Sequence, residues 1–523
     1  MHSDVKSINV KNSWSKEERA AREEEIQTMA NIMKNSQLVD LCFLIDCTGS
    51  MEPWIDAVKD GLLEIIANIT KAYKDCSLRV AFVGYRDLSD KVPFSIYPFT
   101  TDLEELREWI ASVRAFGGGD KCEDVHGGIS KCLKLDWKNP TKMLFHITDS
   151  PSHGANFHNG CLDDYIHFDG DFKKIDELLD GILQNRIRYY FGSIEDSTTK
   201  MISVFNQRIA RNLKNNQLDW EITRTEVPKG DLQNFVSVLT ESVSTSITTT
   251  VKIGKEKRTL KQFTINTLQP SWADLEWKDV KIRTLKFPKD KRSLKEVFQG
   301  EMKKDIQEGK IKISEHPFAK GGQRIAFYGI SHLFDFHQKT LRAETLVALK
   351  ESKWEGPRQN NKRYYTDFIE VQSYASFCAF KFNKKIEEFT TKKLKFLKVK
   401  FFSIMEKDYP RYLLLEPYLK GDYHKLSNNW NYVASKNVDE EFINLSQCFS
   451  HFTLDATEGY ALVTDIQGVI VDSEIILTDP AIHCVDITRF GGTNLSKAGI
   501  DQFVGNHECN RFCKLLNLRP LSI

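Results

Sequence analysis

From Leu38 the chain reads Leu-Val-Asp-Leu-Cys-Phe-Leu-Ile, a nearly unbroken apolar run of strand length. Similar runs return at residues 78–84, 143–148 and 187–194, and the sequence between them suits helices, beginning with residues 54–73. Strands alternating with helices predict an α/β domain over residues 37–250, a doubly wound parallel sheet whose ligand site lies at the carboxyl ends of its strands. Ahead of it, Ser15-Lys16-Glu17-Glu18 has the form of a capping box, and Ile26, Met29, Ala30 and Met33 recur at helical spacing. Residues 1–36 should therefore hold a charged helix that packs on the domain it precedes.

Past residue 250 the rhythm weakens. Residues 251–314 alternate aromatic and charged positions without long apolar runs, and Asp290, Glu296, Glu301 and Asp305 interleave with the lysines around Pro288. That mixture reads as a solvated connector rather than a basic surface for nucleic acid. From residue 315 to 523 a second, α+β domain is expected. It opens with a turn at Gly321-Gly322, an alternating strand from Arg324, and the apolar strand Leu346-Val347-Ala348-Leu349 ending in Lys350. Two glycines beside a cation let backbone amides approach phosphate closely.

Composition narrows the classes without choosing among them. A length of 523 residues favours several domains, and a net charge of +1 provides no field to draw in nucleic acid or an anionic membrane. No apolar run is long enough for a membrane span, and the charged first 33 residues lack the apolar centre of a secretory signal. Eleven scattered cysteines suit a reducing compartment, so a cytoplasmic location is expected.

Candidate chemistry collects at three places. The first strand runs into Asp46-Cys47-Thr48-Gly49-Ser50, and a later strand into Asp149. Carboxylates and hydroxyls are hard oxygen ligands for a small cation such as Mg2+ or Mn2+. Near the chain's end, His507-x-Cys509-x3-Cys513 offers one imidazole and two thiols, a dense set of zinc ligands that lacks a fourth. Between these lie Lys350, Leu413-Leu414-Leu415-Glu416-Pro417, Ser450-His451-Phe452, Asp465-Ile466-Gln467-Gly468, Thr478-Asp479-Pro480 and the glycine-rich stretch of residues 491–499. The H-R-D, D-F-G and A-P-E signatures of conventional kinases are missing from the sequence.

The D-x-T-G-S pattern with its second aspartate resembles the metal-ion-dependent adhesion site of von Willebrand factor A domains. That resemblance covers roughly residues 39–248 and implies partner binding through an open metal position. The loop that usually supplies a threonine here reads Gly117-Gly118-Gly119-Asp120, so Asp120 or a water would complete the site. The second half, in the order of its motifs, closely resembles the alpha-kinase family of atypical protein kinases, a two-lobed fold with a structural zinc. The resemblance implies an ATP-dependent serine/threonine kinase, favouring threonine, with protein substrates. Lys350 and Arg324, with Gly322 in the turn, would hold the ATP phosphates, and Glu416 would lie at the adenine. Asp465, Gln467 and Asp479 would serve the γ-phosphate, its magnesium (Gln467 and Asp479) and the acceptor hydroxyl, with the base unassigned between the two aspartates. Residues 491–499 would bind the peptide. His451 would join His507, Cys509 and Cys513 around zinc. The competing expectation is an adaptor whose kinase domain has lost turnover and which acts through its N-terminal domain.

Overall fold

The structure, a computed structural model, describes residues 14–213, 220–227, 232–253, 261–286, 293–300, 302–321, 323–335, 340–341, 343–356, 360–406, 409–434 and 438–521. It divides into two units, Ile32–Leu260 and Met1–Asn31 with Lys261–Ile523. Helix α1 (Lys16–Asn35) starts at the expected capping box: the Ser15 amide donates to Glu18 Oε2 at 2.7 Å, and the Glu18 amide to Ser15 Oγ at 3.1 Å. The helix was expected to pack on the domain that follows. Through Asn31 it belongs instead with the C-terminal unit, where its Arg22 donates to the carbonyls of Gly491 and Asn494.

The unit Ile32–Leu260 runs β1 (Leu38–Asp46), α2 (Glu52–Ala72), β2 (Ser77–Tyr85), β3 (Phe94–Thr100), α3 (Leu103–Ile110), α4 (Val125–Leu133), β4 (Thr141–Thr148), α5 (Lys173–Gln184), β5 (Ile187–Ser193), α6 (Thr199–Leu213), β6 (Thr223–Glu226) and α7 (Leu232–Ile253). The strands form one sheet in the order β3-β2-β1-β4-β5-β6. All neighbours pair in parallel except β3, which lies antiparallel on β2. The expected doubly wound sheet is therefore a mixed one; Pro98 inside β3 marks it as an edge strand, where a missing N–H is tolerated. Both faces are covered, which is why β1 has no polar alternation. Cys42 and Leu44 join Ile129, Leu179 and Phe205 in one core, while Phe145 of β4 meets Phe235 of α7 edge to face at 6.2 Å. Strand order reverses between β1 and β4, the position at which open sheets of this kind leave a crevice.

The other unit continues with β7 (Lys278–Lys286), α8 (Leu294–Gln299), β8 (Lys303–Lys320), β9 (Arg324–Asp335), β10 (Thr340–Leu341), β11 (Thr345–Ser352), α9 (Lys362–Ile386), β12 (Lys393–Phe396), β13 (Lys400–Glu406), β14 (Tyr409–Pro417), β15 (Tyr423–Lys425), α10 (Glu440–Ala456), β16 (Ala461–Thr464), β17 (Gln467–Val471), β18 (Glu474–Leu477), β19 (Ala481–Cys484), α11 (Ser496–Asn506) and α12 (Arg511–Leu515). Its larger sheet has the order β10-β9-β11-β14-β13-β7-β8, and the long β8 closes it by pairing with β7 through its first half and with β9 through its second. Val280, Ile311, Phe327, Leu349, Phe402 and Leu415 fill the interior. Much of the stretch expected as a connector is thus part of this sheet. The alternation that made residues 278–286 look solvated is that of a strand with one face inward, Val280 and Ile282 being the buried positions. Below it, α9 and α10 pack with a four-stranded sheet, β12-β18-β17-β15, and a two-stranded ladder, β16-β19, around Tyr374, Phe382, Phe449, Val463, Ile475 and Ile482. Among the described residues no helix is long and apolar enough to cross a membrane.

Candidate functional site

Strand periodicity decides which side chains meet. Ser352 lies opposite Arg324, Lys350 opposite Ala326 and Leu414, and Ala348 opposite Glu416. Arg324, Lys350 and Glu416 therefore share the outer face, while Ile325, Leu349 and Leu415 alternate into the apolar interior. On that face Lys350 Nζ forms an ion pair with Glu416 Oε1 and lies 3.4 Å from Asp479 Oδ2, and Arg324 Nη2 pairs with Asp479 Oδ1. The Arg324 guanidinium also stacks over Phe368 at 4.2 Å, and its buried Nη1 has no hydrogen-bond partner. A buried unpaired guanidinium nitrogen beside a lysine is suited to an anion with several oxygens. Gly322 lies outside the described residues.

Asp465 and Asp479 follow short strands and sit together because of ladder register. Thr464 pairs with Ala481, so the residues just beyond each strand adjoin. Both aspartates have positive φ, 59° and 54°, in the left-handed region that non-glycine residues seldom occupy. Gln467 Nε2 donates to the Asp479 carbonyl at 3.2 Å, and Lys425 Nζ lies 3.8 Å from Asp465 Oδ1. Glu416 was expected at the adenine. Its carboxylate pairs with Lys350 and accepts from the Thr478 hydroxyl at 3.2 Å, so it also orients the lysine. Phe368, Thr478 and Lys425 were not singled out from sequence. Thr478 stood inside a quoted motif, whereas Lys425 on a three-residue strand carried no signal.

Burial would push the Asp479 carboxyl up, but Arg324 and Lys350 outweigh it and hold it down to about 2. Burial raises Glu416, and Lys350 only partly reverses this. Because the folded value of Asp479 lies below its ordinary 3.8, its stabilising contribution is complete above that value and is lost as pH falls toward about 2. The difference in urea midpoint between wild type and Asp479→Asn is accordingly expected to be largest above about pH 4 and to shrink on acidification.

The four residues expected around zinc converge: one ligand atom each from His451, His507, Cys509 and Cys513 lies within 4.8 Å of the others. Cys509 Sγ is 3.7 Å from His451 Nδ1, and Cys513 Sγ is 3.6 Å from His507 Nε2. His451 Nε2 donates to the Arg519 carbonyl at 2.9 Å, which leaves Nδ1 with its lone pair turned to the thiols. His507 Nδ1 is buried without a hydrogen-bond partner. Two imidazoles and two thiols in this arrangement fit a tetrahedral, closed zinc site.

At the crevice of the other unit, Asp46 Oδ1 accepts from the Thr48 amide at 2.9 Å and the Thr48 hydroxyl at 2.7 Å, and Oδ2 accepts from Thr148 Oγ1 at 2.9 Å. Ser150 Oγ donates to Asp149 Oδ1 at 2.9 Å, and Ser50 is exposed. Burial, and the Asp149 charge after it, raise the Asp46 carboxyl to about 6. The third loop offers two carboxylates. Asp120 spends its oxygens on the amides of Cys122 and Asp164, at 2.8 and 2.5 Å. Glu123 instead turns toward Thr48 across Gly118, and its Oε2 is buried without a hydrogen-bond partner. The neighbouring Gly117 has φ 86°, and a Cβ there would meet the Asp90 carboxylate at 2.2 Å. This oxygen-rich set of carboxyl and hydroxyl groups fits a hard divalent cation.

Two further groups, Asp120 with Cys122 and His153, and Cys122 with His158 and Asp163, also lie close. Their imidazoles are already committed. His153 bonds Asp163 and Asp87 at 2.8 and 2.9 Å, while His158 bonds Asp163 at 3.0 Å and accepts from the Cys161 amide. With both nitrogens of each ring engaged, they serve as polar cross-links between loops.

A sequence profile of the alpha-kinase family matches residues 319–513, and one of the von Willebrand factor A domain matches residues 40–166. Alpha-protein kinase vwkA of Dictyostelium discoideum is 32% identical over 513 residues, 95% of this chain and 79% of that protein. Myosin heavy chain kinase A of the same organism is 29% identical over 241 residues, 40% of this chain and 20% of that protein. The crystal structure of the alpha-kinase domain of myosin heavy chain kinase A in complex with ADP covers 47% of this chain and 97% of that one, at 25% identity and a TM-score of 0.37.

Proposed function

Given that this chain belongs to the alpha-kinase family and carries an N-terminal von Willebrand factor A domain, we propose that it is an ATP-dependent protein kinase. It transfers the γ-phosphate to serine or threonine hydroxyls, threonine foremost, of protein substrates. The observation that carries this reading is the junction of Arg324 and Lys350 with Asp479 on the outer face of the closed sheet. Phosphoryl transfer requires a protein chiefly to position ATP, neutralise its charge and orient the acceptor hydroxyl. Lys350 and Arg324 take the phosphates, and Glu416 keeps the lysine extended toward them. Gln467 and Asp479 would hold magnesium, which draws charge from the phosphate oxygens when bound. One of the two carboxylates, Asp465 or Asp479, accepts the hydroxyl proton, and both aspartates are required.

Zinc would be held by His451, His507, Cys509 and Cys513 and would supply structure, not chemistry. In the N-terminal domain Asp46, Thr48, Ser50 and Asp149, with Glu123 rather than Asp120 nearby, would take Mg2+ or Mn2+ and bind a protein partner. None of the eleven cysteines is paired in a disulfide, which supports a cytoplasmic location. As domain limits we retain residues 37–250 for the N-terminal domain, and begin the kinase unit at Lys261.

Transfer of labelled phosphate from ATP to a basic threonine peptide, with magnesium, tests the kinase reading. Wild type should label the peptide, and Asp465→Ala should lower the rate by about a hundredfold or more. If both proteins are equally inert, the adaptor reading replaces it.

A further inference from the structure

The N-terminal helix meets the catalytic unit through a buried cation. Arg22 is 7% exposed; its Nη2 donates to the Gly491 carbonyl at 3.0 Å and the Asn494 carbonyl at 2.8 Å, and its Nη1 to Glu25 at 2.6 Å. Those two carbonyls bracket the short 3-10 turn Gly491–Thr493. Phe490, Gly491 and Ser496 have φ of 62°, 66° and 50°, so the turn sits between left-handed positions that by themselves favour other conformations for Phe and Ser.

Among the described residues, several side-chain hydrogen bonds hold the flanks of this turn. Arg363 of α9 donates to the Thr488 carbonyl at 3.3 Å, and Arg489 reaches Glu370 at 2.6 Å and the Tyr374 hydroxyl at 2.9 Å. The Asn494 side chain accepts from the amides of Cys484 and Ser496 and donates to the Asp486 and Arg489 carbonyls. Across the turn itself the Asn494 amide closes on the Gly491 carbonyl at 3.3 Å, a long bond. Asp367 of α9 lies against Gly491, where an added Cβ would stand 3.3 Å from its carboxylate, and the Arg22 charge acts on that same carboxyl. Cation, carboxylate and turn therefore meet at one junction of α1, α9 and the glycine loop. A planar guanidinium suits it, because one nitrogen can bridge two carbonyls while the other is held by Glu25.

We propose that Arg22 is a positioning residue for the acceptor peptide, its guanidinium stapling the Gly491–Thr493 turn so that the glycine loop presents one fixed surface to the substrate. This rests on the reading of residues 491–499 as the peptide loop. Arg22 touches none of Arg324, Lys350, Gln467 or Asp479, so its removal alters peptide binding and leaves ATP binding as it was.

Steady-state kinetics of the full chain with the basic threonine peptide, combined with hydrogen exchange, provides the test. Arg22→Ala should raise the peptide KM about tenfold at unchanged ATP KM and with a melting temperature lowered by only a few degrees, and the amides of residues 491–496 should exchange faster. Arg22→Lys, which keeps the charge but not the planar fork, should give a peptide KM between the two. An unchanged peptide KM in Arg22→Ala overturns the proposal. So does a parallel loss of melting temperature, ATP affinity and turnover in both variants, which would make Arg22 only a structural support. An inert wild type would instead remove the kinase reading, and this proposal with it.

Discussion

Lys350→Met is expected to lower kcat/KM for peptide phosphorylation by about a thousandfold, the scale of removing a preorganised charge from a transition state. Two losses combine. The phosphates lose an ammonium that Glu416 and Asp479 hold in place, and the two carboxylates lose their shared cation. Glu416 is buried at 4% exposure, so the single variant should also lose about 3 kcal/mol of stability, because breaking a buried pair leaves an uncompensated charge. Pairing the change with Glu416→Gln removes that charge. Chemical denaturation of the double variant should show most of the stability restored while activity stays absent. A double variant that regains turnover would show that Lys350 supports the fold and does not serve the phosphates.

The second large effect concerns the chain's end. Metal analysis of the purified protein should find one zinc per chain at the His451 cluster, and Cys513→Ser should purify without it and with its catalytic lobe unfolded. Structural zinc contributes about 10 kcal/mol or more of apparent binding free energy, comparable with the entire stability of an ordinary domain. The clamp joins α12 to α10, and α10 packs on β16, the strand that delivers Asp465. Loss of the metal therefore disorders the site through its scaffold, and activity and the melting transition should disappear together as a chelator removes zinc. Folded, zinc-free Cys513→Ser protein that phosphorylates normally would refute this account.

Much of the site was legible in the sequence because its residues terminate apolar strands. A carboxylate after Leu462-Val463-Thr464, or a lysine after Val347-Ala348-Leu349, stands out against a buried run, and strand ends are where a sheet exposes chemistry. What stayed hidden depended on pairing. That Glu416 meets Lys350 depends on the β11–β14 register, which puts it diagonally across from the lysine. Glu123 seemed unremarkable beside Asp120 until the turns showed which of the two carboxylates had amides to satisfy. Residues 278–286 read as solvated because each apolar residue was flanked by charge, and only closure by β8 showed that one face turned inward.

By itself, then, the sequence determined the alternating layers of the N-terminal domain, the order of the motifs in the second half, and three zinc-type ligands, His507, Cys509 and Cys513, since these depend on residue type and local spacing; the fourth, His451, was implied by the family resemblance alone. Tertiary structure alone decided that α1 joins the catalytic unit through Arg22, and that Arg324, Lys350, Glu416 and Asp479 form one charged junction. The reason is physical. A hydrogen bond from Arg22 to Asn494 spans 472 residues, and an ion pair from Arg324 to Asp479 spans 155. No local pattern encodes a partner at that separation; only the packing of apolar faces, which closes those loops, brings the charges within reach.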